Sequence, residues 1–334
     1  MTAAPPVAIE EIEAAARRIA GRMLRTPLVL SSALGERCGV PVGLKLEHYQ
    51  TTGSFKLRGA TNAVLSLSHD ERARGVVAAS TGNHGRALAH AAKAQGSVAT
   101  ICMSQLVPEN KVSEIRRLGA DVRIVGKSQD EAQAEVERLV AQRGLVMVPP
   151  FDHPAVVAGQ GTLGLEIVEQ MPDVATVLVP LSGGGLAAGV AAAVKARKPT
   201  ARVIGITMER GAAMKASLEA GKPVLVEEYA SLADSLGGGI GLDNHVTFRM
   251  CRELLDDIVL LSEAEIAAGM RHAYAQEREV VEGAGAVGIA AILTGKIEID
   301  GPIAVILSGR NVDMGLHQRV MNGQDDPFDK EAAA

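Results

Sequence analysis

Residues 51–60 read Thr51-Thr52-Gly53-Ser54-Phe55-Lys56-Leu57-Arg58-Gly59-Ala60, one lysine set between an aromatic ring and an arginine with a glycine on either side. A lysine amine attacks a carbonyl well only when a neighbouring cation or a desolvated pocket lowers its pKa, and this stretch offers both. Lys56 is therefore the candidate Schiff-base lysine. Most lysines at a helix start are simply exposed, so the rest of the chain has to decide.

Downstream, short aliphatic runs alternate with amphipathic stretches, the mark of a parallel α/β architecture. The runs are residues 76–79, 98–103, 122–125, 145–148, 177–180, 203–208 and 303–307, and helical stretches cover 87–95, 109–118 and 129–142. The runs are apolar throughout rather than alternating, as expected of strands covered on both faces. Three further motifs follow such strands. Pro180-Leu181-Ser182-Gly183-Gly184-Gly185-Leu186 opens a helix over 187–197, and consecutive glycines at a helix start let backbone N–H groups converge on a phosphate. Ser80-Thr81-Gly82-Asn83-His84-Gly85 puts short polar side chains at another helix start, a site suited to a carboxylate or an ordinary helix cap. Leu307-Ser308-Gly309-Arg310-Asn311-Val312-Asp313 closes the last strand, and Glu282-Gly283-Ala284-Gly285-Ala286 precedes it.

Taken in chain order, these segments resemble the threonine/serine dehydratases, pyridoxal-phosphate enzymes of fold type II. The resemblance spans about residues 25–313. It implies two parallel-sheet α/β domains with the cofactor between them: a large domain of residues 1–68 and 152–322, a small inserted one of 69–151, and a frayed tail over 323–334. It also implies that Lys56 carries pyridoxal phosphate beside Phe55. Ser182, Gly183, Gly184, Gly185 and Leu186 would hold the phosphate, with Ser182 where the family usually has glycine. Asn83 would meet the phenolic oxygen, Ser308 the pyridine nitrogen, and Ser80, Thr81, Gly82 and His84 the substrate carboxylate. No chemistry is assigned to Glu282. The implied reaction eliminates water from a β-hydroxy-α-amino acid, with Lys56 taking the α-proton, and gives a 2-oxo acid and ammonia. Finer likenesses, at residues 80–86, at Met208-Glu209-Arg210-Gly211 and at Gly238-Gly239-Ile240-Gly241-Leu242-Asp243-Asn244, resemble the dehydratases of hydroxyectoine-utilisation clusters. The chain ends soon after Asp313, so a regulatory C-terminal domain and isoleucine feedback are not expected.

Arg86 replaces the family's usual glutamine. Three residues beyond Asn83, it shares that residue's helix face, where it can bind a second carboxylate on the substrate or make a surface or inter-domain ion pair. A β-replacement synthase and a serine-racemase-like enzyme are the alternatives within the fold. Cysteine synthases usually follow the lysine with aspartate, where this chain has Leu57. Racemases place a serine where this chain has Thr81. Some relatives bind a divalent metal near the position of Glu209, but residues 210–215 hold no carboxylate and no metal site is expected. From another class, a nicotinamide-dependent oxidoreductase is the alternative: Gly183, Gly185 and Gly189 with Glu209 imitate a dinucleotide fingerprint, though one residue too long and placed mid-chain.

Composition narrows the classes further. With no Trp, four Phe, three Tyr and a net charge of −5, there is little to stack on bases or attract a phosphate backbone, so nucleic acid is not an expected partner. Cys38, Cys102 and Cys251 are too scattered for a disulfide framework, which points to a reduced, cytoplasmic setting. The start lacks the basic and apolar regions of a secretory signal. The uncharged run 174–194 is long enough to span a membrane, but Pro180, Ser182 and three glycines break it. The expected partner is a small amino-acid substrate, and the resemblance suggests a homodimer.

Overall fold

The computed structural model describes residues 5–328 apart from Thr81 and Pro108, and leaves the side chains of Asn110 and Lys111 undescribed. Thr81 and the last six residues of the expected tail thus lie outside the described residues. Among the described residues, ten strands form two sheets. They are β1 (Leu28–Leu30), β2 (Val42–Lys45), β3 (Val76–Ala79), β4 (Ala99–Met103), β5 (Asp121–Ile124), β6 (Val146–Met147), β7 (Thr176–Pro180), β8 (Arg202–Met208), β9 (Asp257–Leu261) and β10 (Ile303–Ile306). The first sheet runs β1-β2-β10-β7-β8-β9 and the second β5-β4-β3-β6. The second is drawn entirely from residues 76–147, between the stretches that build the first.

The central strands of both sheets are buried on both faces. In β7, Val177 and Val179 enter one apolar cluster and Leu178 the other, so a strand that is apolar at every position has a buried use for each. The same division holds in the second sheet, where Val76 and Ala78 face one cluster and Val77 the opposite one. The ladders are parallel except for β1, which pairs antiparallel with β2 at the sheet edge. The helix Ser32–Cys38 is the only element between them, too short a link to carry the chain back for a parallel crossover.

The helices start where the sequence supplies caps. Ser128 accepts from the Glu131 amide while the Glu131 carboxylate accepts from the Ser128 amide, and Gly144 ends that helix at φ +65°. Helix Gly283–Leu293 is buried along nearly its whole length beneath the first sheet. Helix Lys56–Ser66 packs Leu57, Ala60, Ala63 and Val64 into the second sheet's core, although the loop just before it is tied to the first sheet. Lys56 therefore stands at the seam of the two sheets. Among the described residues, no helix is long and apolar enough to cross a membrane.

Candidate active site

Ser54 forms an isolated antiparallel bridge with Gly309, and the Phe55 amide donates to the Ser308 carbonyl at 3.0 Å. These bonds pin the residues before Lys56 to the end of β10. The Lys56 Nζ donates to the Pro150 carbonyl at 2.8 Å and lies 5.3 Å from the centre of the Phe55 ring. Burial lowers its pKa to about 8, against an opposing pull from the Glu282 carboxylate.

The sequence offered Arg58 as a second cause of that depression, and the structure corrects this. Two residues apart on a helix, Lys56 and Arg58 point roughly 200° away from each other. The Arg58 guanidinium is buried behind the site. Its Nε and Nη2 donate to the two Glu47 oxygens, both at 2.8 Å, and its Nη1 and Nη2 to Glu166 at 2.7 and 2.9 Å. Lys45 completes the cluster on Glu166, Gln170 and the Thr26 carbonyl. Two cations and two carboxylates leave this network without net charge.

The glycine loop lies between β7 and helix Gly185–Arg197, as its sequence predicts. Gly184 takes φ +87°, and a Cβ there would meet Met214, Cys251 and Thr247 within 3.0 Å. A Cβ on Gly183 would enter the Phe151 ring, and one on Gly185 would press the Phe151 backbone. Only glycine lets this loop sit so close to its neighbours while the first amides of the helix stay without intrahelical partners. Ser182 is partly exposed beside the loop, and Leu186 is core.

Across the seam, helix Asn83–Ala94 begins after Gly82. The Ser80 hydroxyl accepts from the Gly85 amide at 3.0 Å, so it caps this helix. His84 is buried, with its Nε2 2.8 Å from the Val148 carbonyl; a carbonyl only accepts, so Nε2 carries the proton. Burial, and then the Lys56 charge, push this ring down to about 3, so it is neutral throughout the ordinary pH range. Asn83 donates to Glu282 Oε1 at 2.8 Å and accepts from Asn311 at 2.6 Å. Asn311 in turn donates to the Thr52 carbonyl at 2.9 Å. This chain of bonds joins the helix on the second sheet to the lysine loop and to the start of helix Gly283–Leu293.

Arg86 lines the same cleft as Gly82, Asn83, Asp234, Ser235, Glu282 and Asn311. Its Nη1 lies 3.3 Å from Glu114 Oε1, so both sequence readings of Arg86 keep a footing: it faces the cleft, and it has an ion-pair partner. Ser308 is buried, its hydroxyl 3.4 Å from the Ala284 carbonyl. Glu209 stands exposed after β8, 3.9 Å from the Lys296 amine. Sequence reasoning missed Pro150 and Phe151, which carry no motif, and Thr247, whose hydroxyl donates to the Gly183 carbonyl at 2.7 Å. Asn311 lay inside a quoted segment, but only its contacts reveal a role.

Residues 19–309 match the family described as "Pyridoxal-phosphate dependent enzyme". Over 318 residues the chain is 70% identical to a putative threonine dehydratase of Sinorhizobium fredii (strain NBRC 101917 / NGR234), covering 95% of this chain and 96% of that one. It is 41% identical over 312 residues to the catabolic L-threonine dehydratase of Escherichia coli K12, covering 92% and 94%. Among solved structures, maize serine racemase aligns with a TM-score of 0.89 at 32% identity, over 95% of this chain and 97% of that one. The T.th. threonine deaminase aligns with a TM-score of 0.85 at 37% identity, over 92% and 99%.

The residues present fit pyridoxal phosphate. The Lys56 amine is held out of water with a lowered pKa, and the glycine loop heads a helix. The hydroxyls of Thr52 and Ser54, either side of Gly53 in the lysine loop, are buried without a hydrogen-bond partner.

Proposed function

The chain belongs to the pyridoxal-phosphate dependent enzymes, and on that footing we propose that it is a dehydratase, an ammonia-lyase that removes water from a β-hydroxy-α-amino acid such as threonine. The observation that carries this reading is Lys56, an amine of pKa about 8 at the seam of the two sheets, in a chain whose relatives at 70% and 41% identity are threonine dehydratases. The nicotinamide alternative falls with the family assignment.

Bound pyridoxal phosphate supplies an aldehyde for an amine to condense with and a ring that draws electrons from the α-carbon. The chain's own residues hold the cofactor, orient the substrate and take the α-proton. Lys56 holds the cofactor and, once the substrate amine takes its place, accepts the α-proton at Nζ, a role suited to a pKa near neutrality. The amides of residues 183–186 hold the phosphate at the helix start. Asn83 fixes the phenolic oxygen, and Ser308 offers a neutral hydroxyl to the ring nitrogen. Ser80, Thr81, Gly82 and His84 receive the substrate carboxylate. His84 lines that site as a neutral ring whose one N–H is already given to the Val148 carbonyl, so the donors to the carboxylate are the surrounding amides and hydroxyls.

We further propose that the substrate belongs to the hydroxyectoine-utilisation class or a similar group of 3-hydroxy amino acids with a distal polar group. Arg86 supports this. Its Glu114 partner already binds Arg117 through both oxygens, at 2.6 and 3.0 Å, so the guanidinium can turn to a ligand without stranding a carboxylate. Arg86→Gln is expected to raise KM about tenfold for such a substrate and leave serine turnover unchanged; equal losses on both would make Arg86 structural. The test of the reaction itself is a panel of threonine, serine, 3-hydroxyaspartate, phenylserine and hydroxylated diaminobutyrate derivatives, assayed for 2-oxo acid and ammonia. Absence of both products from every compound would overturn the proposal.

A racemase reading has the likeness to maize serine racemase in its favour. The sequence opposes it, because Thr81 stands where racemases place a serine. Racemisation of serine is expected to run far slower than its deamination.

A further inference from the structure

Helix Thr247–Leu254 supplies no group assigned to the cofactor or substrate, yet it packs directly against the glycine loop. The buried Thr247 hydroxyl accepts from Asn244 Nδ2 at 2.8 Å and donates its single proton to the Gly183 carbonyl at 2.7 Å. Asn244 is itself fixed, donating to the Ile240 carbonyl at 3.0 Å and accepting from the Phe248 amide at 2.8 Å. The start of the helix is clamped from the other side. The Asp152 carboxylate accepts from the amides of His245, Val246 and Thr247 at 2.8 to 2.9 Å. Asp152 follows Phe151, whose ring fills the space that a Gly183 side chain would need. One short stretch, residues 150–152, thus touches the lysine amine, the glycine loop and the Thr247 helix.

The consequence follows from peptide geometry. In a trans peptide the N–H points opposite to the C=O of the same unit, and no cis bond occurs among the described residues. A Gly183 carbonyl fixed on Thr247 therefore fixes the Gly184 N–H on the far side, away from Thr247. Gly184 at φ +87° has wide backbone freedom, so this peptide plane would rotate readily if nothing held it. We infer that Thr247, oriented by Asn244 and seated by Asp152, is a positioning residue that aims the Gly184 amide at the cofactor's phosphate. This rests on the reading of residues 183–186 as the phosphate cradle.

The test separates the two. Apoprotein is titrated with pyridoxal phosphate and with pyridoxal, which lacks the phosphate; pyridoxal also closes on its own aldehyde in water, equally for every variant, so the change in the ratio of dissociation constants between variants isolates the cradle's contribution. Wild type is expected to prefer the phosphorylated form strongly. Thr247→Val, which keeps the shape and removes the hydroxyl, should cut that preference about tenfold, the scale of one hydrogen bond to a charged ligand, while the affinity for pyridoxal is unchanged. Thr247→Ser should restore the preference. A Thr247→Val protein that keeps the wild-type ratio, or that loses both ligands equally, overturns the positioning role while leaving the cradle intact. A wild-type ratio near one removes the cradle itself and the inference with it. If Thr247→Val does not melt cooperatively, Asn244→Ala is judged on the same ratio, with a reduced preference expected and an unchanged one counting against the role.

Discussion

At the scale of single residues, burial rather than a neighbouring charge sets the chemistry of Lys56. The sequence placed an arginine two positions away, and the helix turned it to the opposite face. A lysine that ordinarily titrates at 10.5 and here titrates at about 8 is mostly neutral just above pH 8. Capture of an aldehyde by the apoprotein should therefore rise with pH and level off above about 8; a profile still climbing past pH 10 would show an ordinary exposed amine. Lys56→Ala should abolish elimination, since carrier and base are lost together, and leave the melting temperature within a few degrees of wild type. His84 shows the limit of reading residues by type. Its place in a quoted motif was legible, but its neutral state follows from burial, which the sequence does not display.

At the scale of elements, the network behind Lys56 joins the Lys56–Ser66 helix to the Pro154–Gln170 helix and to β2. The helices touch closely enough that a Cβ on Gly159 would meet the Arg58 carbonyl at 2.7 Å. Arg58→Met would leave the Glu47 carboxylate buried with the Thr26 hydroxyl. Stranding a buried charge costs about 3–5 kcal/mol, which chemical denaturation would register. The pH profile of aldehyde capture should not move, and a matching shift would return Arg58 to the role the sequence suggested. The same network explains why β2 was illegible. Its Val42-Gly43-Leu44-Lys45 carries a glycine pressed by Leu28 and Met171 and a lysine that is fully buried. Neither fits a strand pattern until Glu166 and Gln170, far along the chain, are brought beside Lys45. β1, Leu28-Val29-Leu30, is apolar but only three residues long, too short a run to mark a strand, and two of its residues are exposed. The strands β3, β7, β8 and β10 were legible within about a residue because burial on both faces makes them continuous apolar runs.

At the scale of the whole molecule, the glycine loop heads a helix of the first sheet, Asn83 heads a helix on the second, and Lys56 stands where they meet. Each motif could be read locally, but the contacts that join them could not. The bonds from Glu282 to Asn83 to Asn311 to Thr52 link segments up to 259 residues apart in sequence, a separation that no local pattern encodes. The measurement that bears most directly on the central claim is borohydride reduction of the purified holoenzyme, followed by digestion and mass mapping. A phosphopyridoxyl group on Lys56, with activity on threonine lost in proportion to labelling, is the result expected. A label on another lysine, such as buried Lys45, or none on any, would contradict it.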